Sequence, residues 1–221
     1  MLKVVMHNSV SLDGAILGFD INMELHYRIA GRYAADVQLV GSNTIKAGIE
    51  MFGVEIPPEE ESDFTRPEKD AGLPYWVVPD ARGVLKGILH YLRREEFCKD
   101  IVVLVSEKTE RDYLQYLEER DCDYYICGED YVNYEKAFGI IQDELGAGTV
   151  FIDAGPTLNG ILLEKGLIDE ISLLVHPFMV GKKSGKLFER LELENKNIEL
   201  EPMTCELLDG KYLHLNYRVV K

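Results

Sequence analysis

Residues 100–105 read Asp-Ile-Val-Val-Leu-Val, an apolar and largely β-branched run behind a single aspartate. A strand of this kind offers no face to water, so it predicts a sheet covered by helices on both sides. Further strands are expected at 2–11, 36–41, 75–78, 122–127, 149–153 and 169–176, with Trp76 in the core. Helical spacing of apolar residues fills the intervals at 22–35, 42–51, 84–97, 110–119, 134–145 and 156–165. Strands alternating with helices imply right-handed crossovers and a mostly parallel sheet. The tail departs from this rhythm. Segments 198–207 and 212–220 alternate around Asp209-Gly210, a strong hairpin signal. The expected fold class is α/β: a mostly parallel central sheet flanked by helices, with an antiparallel C-terminal hairpin, in one domain over 1–221. Residues 53–74 hold four of the eight prolines and the acidic cluster Glu59 to Asp63, and read as a surface loop. Arg93 and Arg94 read as a basic patch.

Charge and spacing exclude several function classes. Lys+Arg number 24 and Asp+Glu 39, a net charge of −15. Nucleic-acid binding relies on a basic stripe that releases counterions, so no nucleic-acid partner is expected. No run of apolar residues is long enough to span a bilayer, so no membrane association is expected. The N-terminus places His7 and Asn8 inside its apolar stretch and reads as a first strand, not a signal peptide. Cytoplasm is the default location. Cys98, Cys122, Cys127 and Cys205 have no paired spacing and are expected as reduced thiols. The five histidines (His7, His26, His90, His176, His214) are scattered, so no metal site is expected. No Gly-x-Ser-x-Gly supports a hydrolase.

Three turns carry candidate chemistry. In Val150-Phe-Ile-Asp-Ala-Gly-Pro-Thr-Leu-Asn159 a buried strand runs into small residues and then a helix with Pro156 in its first turn. Proline is tolerated there because the first N–H has no helical partner. Small residues let an anion approach the backbone, and free N–H groups with the helix dipole hold it. A conformational need for Gly155 alone explains the same pattern. Val40-Gly41-Ser42-Asn43-Thr44 repeats the arrangement, and two such turns at strand ends suit a phosphate-bearing ligand. The third is Ser11-Leu12-Asp13-Gly14, a carboxylate at the end of the first strand. Asp20 is either a helix cap or an acid facing a pocket.

With these residues in view, the chain resembles the riboflavin-pathway pyrimidine reductases and their relatives in the dihydrofolate-reductase-like superfamily. Ser11-Leu12-Asp13-Gly14 is similar to the family's turn after the first strand. Gly41-Ser42-Asn43-Thr44 resembles its Gly-x-x-Thr, and Val77-Val78-Pro79-Asp80 its Val-Val-x-Asp strand end. Asp153-Ala154-Gly155-Pro156-Thr157-Leu158 resembles its Glu-Gly-Gly-x-Thr-Leu. Gly166-Leu167-Ile168-Asp169-Glu170, His176-Pro177 and Val180-Gly181 extend the likeness. The resemblance implies an NADPH-dependent reductase, usually a homodimer, acting on a small-molecule ribosylamino-pyrimidine phosphate or a pterin-like relative. It implies cofactor contacts at Gly41, Thr44, Ala154, Gly155, Pro156, Thr157 and Leu158. It also implies 2′-phosphate recognition at the Asp80-Ala81-Arg82 turn, with Arg82 the charged partner. Asp13 and Asp20 fall on the substrate side as candidate catalytic acids. Three departures stand out: Ala15 where the pathway enzymes usually carry Lys, no Asp-Asp-Pro within 45–52, and Ala154 for the first glycine. The alternative is a nucleotide-binding regulatory relative without turnover.

Overall fold

A computed structural model describes residues 2–181, 185–189, 191, 193 and 197–221. In chain order its elements are β1 (Lys3–Ser11), α1 (Met23–Gly31), β2 (Val37–Leu39), α2 (Ser42–Met51), β3 (Tyr75–Pro79), α3 (Leu89–Arg93), β4 (Ile101–Val105), α4 (Arg111–Glu118), β5 (Tyr124–Ile126), α5 (Tyr134–Asp143), β6 (Thr149–Ile152), α6 (Pro156–Glu164), β7 (Glu170–His176), β8 (Leu200–Leu208) and β9 (Tyr212–Val219). They form two compact units, one of residues 1–35 with 149–221 and one of residues 36–148. Among the described residues no helix is long and apolar enough to cross a membrane.

In the first unit β1 runs parallel to β6 on one side and to β7 on the other, with Met6 opposite Ile152 and His7 opposite Ser172. Successive side chains alternate between faces. Val4, Met6, Asn8 and Val10 therefore share one face, where the Asn159 side chain of α6 meets Asn8. Val5, His7, Ser9 and Ser11 share the other. There Leu25 and Ile29 of α1 pack with Leu174 and Tyr212. β9 pairs antiparallel with both β7 and β8. Asp209 (φ 48) and Gly210 (φ 71) are both left-handed at the centre of the 209–211 hairpin loop, where Lys211 N donates to the Leu208 carbonyl at 3.1 Å.

In the second unit β2, β3, β4 and β5 are mutually parallel, and every residue of β4 is buried. The helix expected over 84–97 contracts to α3. Gly83 (φ 71) and Gly87 (φ 84) adopt left-handed conformations that a helix cannot contain, so 83–88 forms turns. The expected basic patch is also corrected. Arg93 is buried, 4% exposed, and forks onto Asp100 at 2.7 and 3.0 Å. Arg94 donates to Asp63 at 3.0 Å, and Arg120 holds Glu59 at 2.6 and 2.7 Å. These pairs fasten the 53–74 loop, which has one short 3-10 turn at Glu61–Phe64. Cys98, Cys122 and Cys127 are buried thiols and Cys205 is exposed, all reduced. Burial pushes the Cys98 and Cys122 thiols up to about 12.

Truncating one partner of a buried ion pair leaves the other charged and unpaired. Asp100→Ala is therefore expected to lower unfolding stability by about 3–5 kcal/mol in urea titration. A loss below about 1 kcal/mol, the range of exposed pairs, contradicts this account.

Candidate functional site

The turn between β6 and α6 is built from the inside. Asn8 Nδ2 donates to the Ala154 carbonyl at 3.0 Å, and Asn159 Nδ2 donates to the same oxygen at 3.2 Å and to Asn8 Oδ1 at 2.9 Å. Both amides are buried, and they fix that carbonyl toward the interior. Gly155 caps α6 with φ −75 and ψ 171, and Pro156 occupies the first helical position. The first helical hydrogen bond runs from Asn159 N to the Gly155 carbonyl. The N–H groups of Thr157 and Leu158 thus stand outside the helical ladder. α6 has no side-chain cap and no acidic residue in its first turn, and α2, entered through Gly41, shares both properties. Other helices of eight or more residues differ: Asn22 caps α1, Asn133 caps α5, and Asp112 sits in the first turn of α4. Uncapped N-termini keep their donors and positive dipole available to an anion. Thr44 lies in the first turn of α2.

One group competes for this place. Thr157 Oγ1 donates to Glu189 Oε2 at 3.5 Å, and Glu189 N donates to the Pro156 carbonyl at 3.1 Å. An anion settling on α6 must turn the exposed Glu189 carboxylate aside.

The remaining sequence candidates fall in different surroundings. Asp13 is exposed, and its carboxylate accepts from Ser11 Oγ at 2.6 Å, Gly181 N at 2.7 Å and Val180 N at 3.1 Å. Those donors hold its pKa down to about 2. It is an anion near neutrality, with no proton to give. Its place is a clasp from the 11–14 turn to residues 180–181. Asp20 is exposed and does not cap α1; Asn22 does, accepting from Leu25 N at 3.0 Å. Asp80 is 1% exposed and accepts from Val84 N at 2.9 Å, Leu85 N at 2.8 Å and the Tyr113 hydroxyl at 2.8 Å. Its side chain builds the turn and faces no solvent. Arg82 is exposed, and its guanidinium has no partner among the described residues. Ala15 is 2% exposed and pairs with Lys186 in an antiparallel bridge.

Sequence reading missed a polar layer beneath α1. The register of β1, β7 and β9 and the docking of α1 bring scattered histidines together. His7 Nδ1 meets Ser172 Oγ at 2.8 Å, and the same oxygen meets His214 Nε2 at 2.9 Å. Ser9 Oγ meets His26 Nδ1 at 3.0 Å, and His26 Nε2 meets Asp153 Oδ2 at 3.4 Å. The His7 and His26 ring centroids are 4.5 Å apart. His176 Nδ1 contacts the Leu174 carbonyl at 3.1 Å while its Nε2 accepts from Asn22 N at 3.0 Å. That pattern fixes a neutral imidazole at the start of α1. Among the described residues no group of His, Cys, Asp and Glu is arranged to hold a metal ion. A signal was present: polar His7, Ser9 and Ser11 alternate with apolar neighbours in one strand.

Burial holds the pKa of His7 well below its ordinary value, and burial lowers His176 and His214 as well. Depressed imidazoles stabilise the fold fully above the unfolded value, about 6.5. That contribution is lost as pH falls below it, because the unfolded chain binds more protons. The thermal midpoint is expected to drop between pH 7 and pH 5, and the drop to shrink in His7→Gln. A midpoint flat across that interval contradicts the assignment. A second expectation concerns Glu189→Gln: removing one negative charge at α6 tightens pyrophosphate binding about 3- to 10-fold in calorimetry. Unchanged affinity removes Glu189 from the site.

The family model for the RibD C-terminal domain matches residues 2–213. Among solved structures, RibD of Acinetobacter baumannii superposes with TM-score 0.67 at 15% identity over 100% of this chain. The chain spans 58% of that protein. A pyrimidine reductase-like protein of Corynebacterium diphtheriae gives TM-score 0.70 at 13% identity, covering 100% of this chain and 92% of the other. The riboflavin biosynthesis reductase Rib7 of Saccharomyces cerevisiae gives 0.70 at 16%, covering 99% and 90%. The fold is of the dihydrofolate-reductase-like class, and the match over residues 2–213 places the chain in the RibD C-terminal domain family.

Proposed function

We propose that this chain is an NADPH-dependent reductase of the riboflavin-biosynthesis type. It transfers hydride to the ribosylamino group of a pyrimidine 5′-phosphate, or of a pterin-like relative, and leaves a ribitylamino chain. The observation that carries the reading is the α6 turn: an inward carbonyl, a nine-residue helix with no side-chain cap and two N–H groups outside the helical ladder, in a chain matched by the family model over 2–213. Those features fit a diphosphate. Residues Ala154, Gly155, Pro156, Thr157 and Leu158 would hold it through backbone donors and the Thr157 hydroxyl. Gly41 and Thr44 offer the same donor chemistry in the second unit. Arg82, exposed and without a partner among the described residues, would hold the 2′-phosphate; Asp80 shapes its turn.

NADPH supplies a hydride when bound. The work of the chain is placement and charge. Asp13 keeps the 11–14 turn fastened at the end of β1, and Asp153, at the end of β6, is the carboxylate next to the phosphate turn. The side chain of Asp153 is 24% exposed, so a substrate has access to it. A second reading, nucleotide binding without turnover, is favoured by the burial of Ala15 where the pathway enzymes carry a lysine. NADPH oxidation on addition of the ribosylamino-pyrimidine phosphate separates the two.

We also propose a homodimer. The edge strand β8 exposes Leu200 and Leu207, with Met203 exposed at its bulge, apolar groups that a second copy would cover. A monomer mass in sedimentation at micromolar concentration overturns it.

Gly155 has an ordinary φ of −75, so a side chain there carries no left-handed backbone strain. It does place a Cβ where phosphate must approach. Gly155→Val is expected to abolish NADPH binding while the thermal midpoint shifts by only a few degrees. A folded variant binding NADPH as tightly as the parent refutes the cradle. Arg82→Ala is expected to erase about 1–3 kcal/mol of preference for NADPH over NADH, the range of charge-assisted hydrogen bonds. An unchanged affinity ratio refutes that assignment.

A further inference from the structure

The polar layer under α1 ends at the proposed site through one contact, His26 Nε2 to Asp153 Oδ2 at 3.4 Å. His26 is 5% exposed, sits on α1 between the apolar anchors Leu25 and Ile29, and has both ring nitrogens engaged. Ser9 lies on the far side at 3.0 Å and the His7 ring lies beside it, tilted by 44°, with centroids 4.5 Å apart. Tyr27 approaches edge-on from the same helix at 5.2 Å. Asp153 is the only carboxylate that meets this imidazole among the described residues. With Asp153 ionised, Nε2 carries the donated proton, and Nδ1 accepts from the Ser9 hydroxyl. Every hydrogen bond in the line Ser9–His26–Asp153 then has one direction. Packing under α1 fixes the ring, and the ring fixes one oxygen of a carboxylate that is otherwise partly in solvent.

We infer that His26 is a positioning residue for Asp153: it holds the carboxylate at the end of β6 so that the negative charge faces a cationic hydride acceptor. This rests on the reductase reading given above. The acceptor is a protonated imine, formed when the ring C–O bond of the ribosylamine breaks, its electron pair goes to the ring oxygen, and that oxygen takes a proton from water. Hydride from the dihydronicotinamide forms the new C–H bond, the π pair of the C=N bond moves onto nitrogen, and the nitrogen keeps the proton it already carries. The products are a neutral secondary amine and the oxidised nicotinamide. The carboxylate is unchanged; it stabilises the iminium, and the transition state that generates it, relative to the neutral ribosylamine, and it does so only while held in place. Loop carboxylates with freedom to rotate pay for that orientation during each turnover, whereas one hydrogen-bonded to a packed imidazole does not.

Three variants test this. His26→Leu removes both contacts, His26→Asn keeps reach toward Ser9 only, and His26→Gln places an amide near the Nε2 position. The expected result is a kcat lowered about 10-fold or more in the Leu and Asn variants, with NADPH Kd unchanged, and most of the loss restored by Gln. Asp153→Asn is expected to match His26→Leu, and the double variant to be no worse than either single one. A folded His26→Leu protein with parental kcat overturns the inference, and so does full additivity with Asp153→Asn. Imidazole nitrogen NMR of the free protein supplies a readout that needs no turnover. Asp153→Asn should change the His26 nitrogen shifts. Unchanged shifts refute the pairing itself, whereas absent NADPH oxidation by the parent refutes the reductase reading.

Discussion

The carbonyl of Ala154 is the pivot of the first unit. Two buried amides, Asn8 from β1 and Asn159 from α6, donate to it, and Asn159 also donates to Asn8. A buried polar group without a partner costs about 1–3 kcal/mol, so the three donated bonds onto the Ala154 carbonyl and Asn8 Oδ1 favour this exit from β6, although Asn159 Oδ1 has no hydrogen-bond partner among the described residues. With the carbonyl turned inward, Gly155 and Pro156 carry the chain into α6 at ordinary backbone angles. The N–H groups that follow have no carbonyl or side-chain cap to meet within the helix. An anion-accepting helix end is thus a consequence of interior hydrogen bonding in β1, and no unusual backbone conformation is needed.

The two faces of β1 divide the labour. One face carries the buried Val4, Met6 and Val10 together with Asn8, which meets Asn159 of α6. The other carries His7, Ser9 and Ser11 beneath α1, where hydrophobic residues would cost less to bury. That layer has Ser172 bridging two imidazoles and Ser9 meeting a third, while His7 Nε2 and His214 Nδ1 have no hydrogen-bond partner among the described residues. It gives α1 a defined seat, reinforced where Asn22 both caps the helix and donates its N–H to His176. The clasp made by Asp13 fastens the turn that leads toward α1, and its three donors explain why its acidity is far from that of a working proton donor.

Local signals carried much of this into the sequence. The continuous apolar run of β4 and the Asp209-Gly210 turn are legible because each depends on its own few residues. α3 is shorter than its apolar spacing suggests because glycine gives no advance notice of a left-handed φ; the spacing continues where the helix does not. Asp20 has the residue type of a cap, but Asn22, two residues on, has the reach. Arg93 and Arg94 looked like a surface patch because Asp100 and Asp63, which neutralise them, are brought in by folding. The His26–Asp153 contact joins residues 127 apart in sequence, and Ser172–His214 joins residues 42 apart. No spacing rule reports such pairs. The alternation of polar residues along β1 was the one local trace of the layer they form.

The central claim is that the α6 turn holds the cofactor diphosphate. A crystal structure of the chain with NADPH tests it most directly. The account predicts phosphate oxygens within hydrogen-bond distance of the backbone N–H groups of Thr157 and Leu158, with the Glu189 carboxylate turned away. A bound cofactor with no phosphate oxygen near the backbone of residues 154–158 would contradict it.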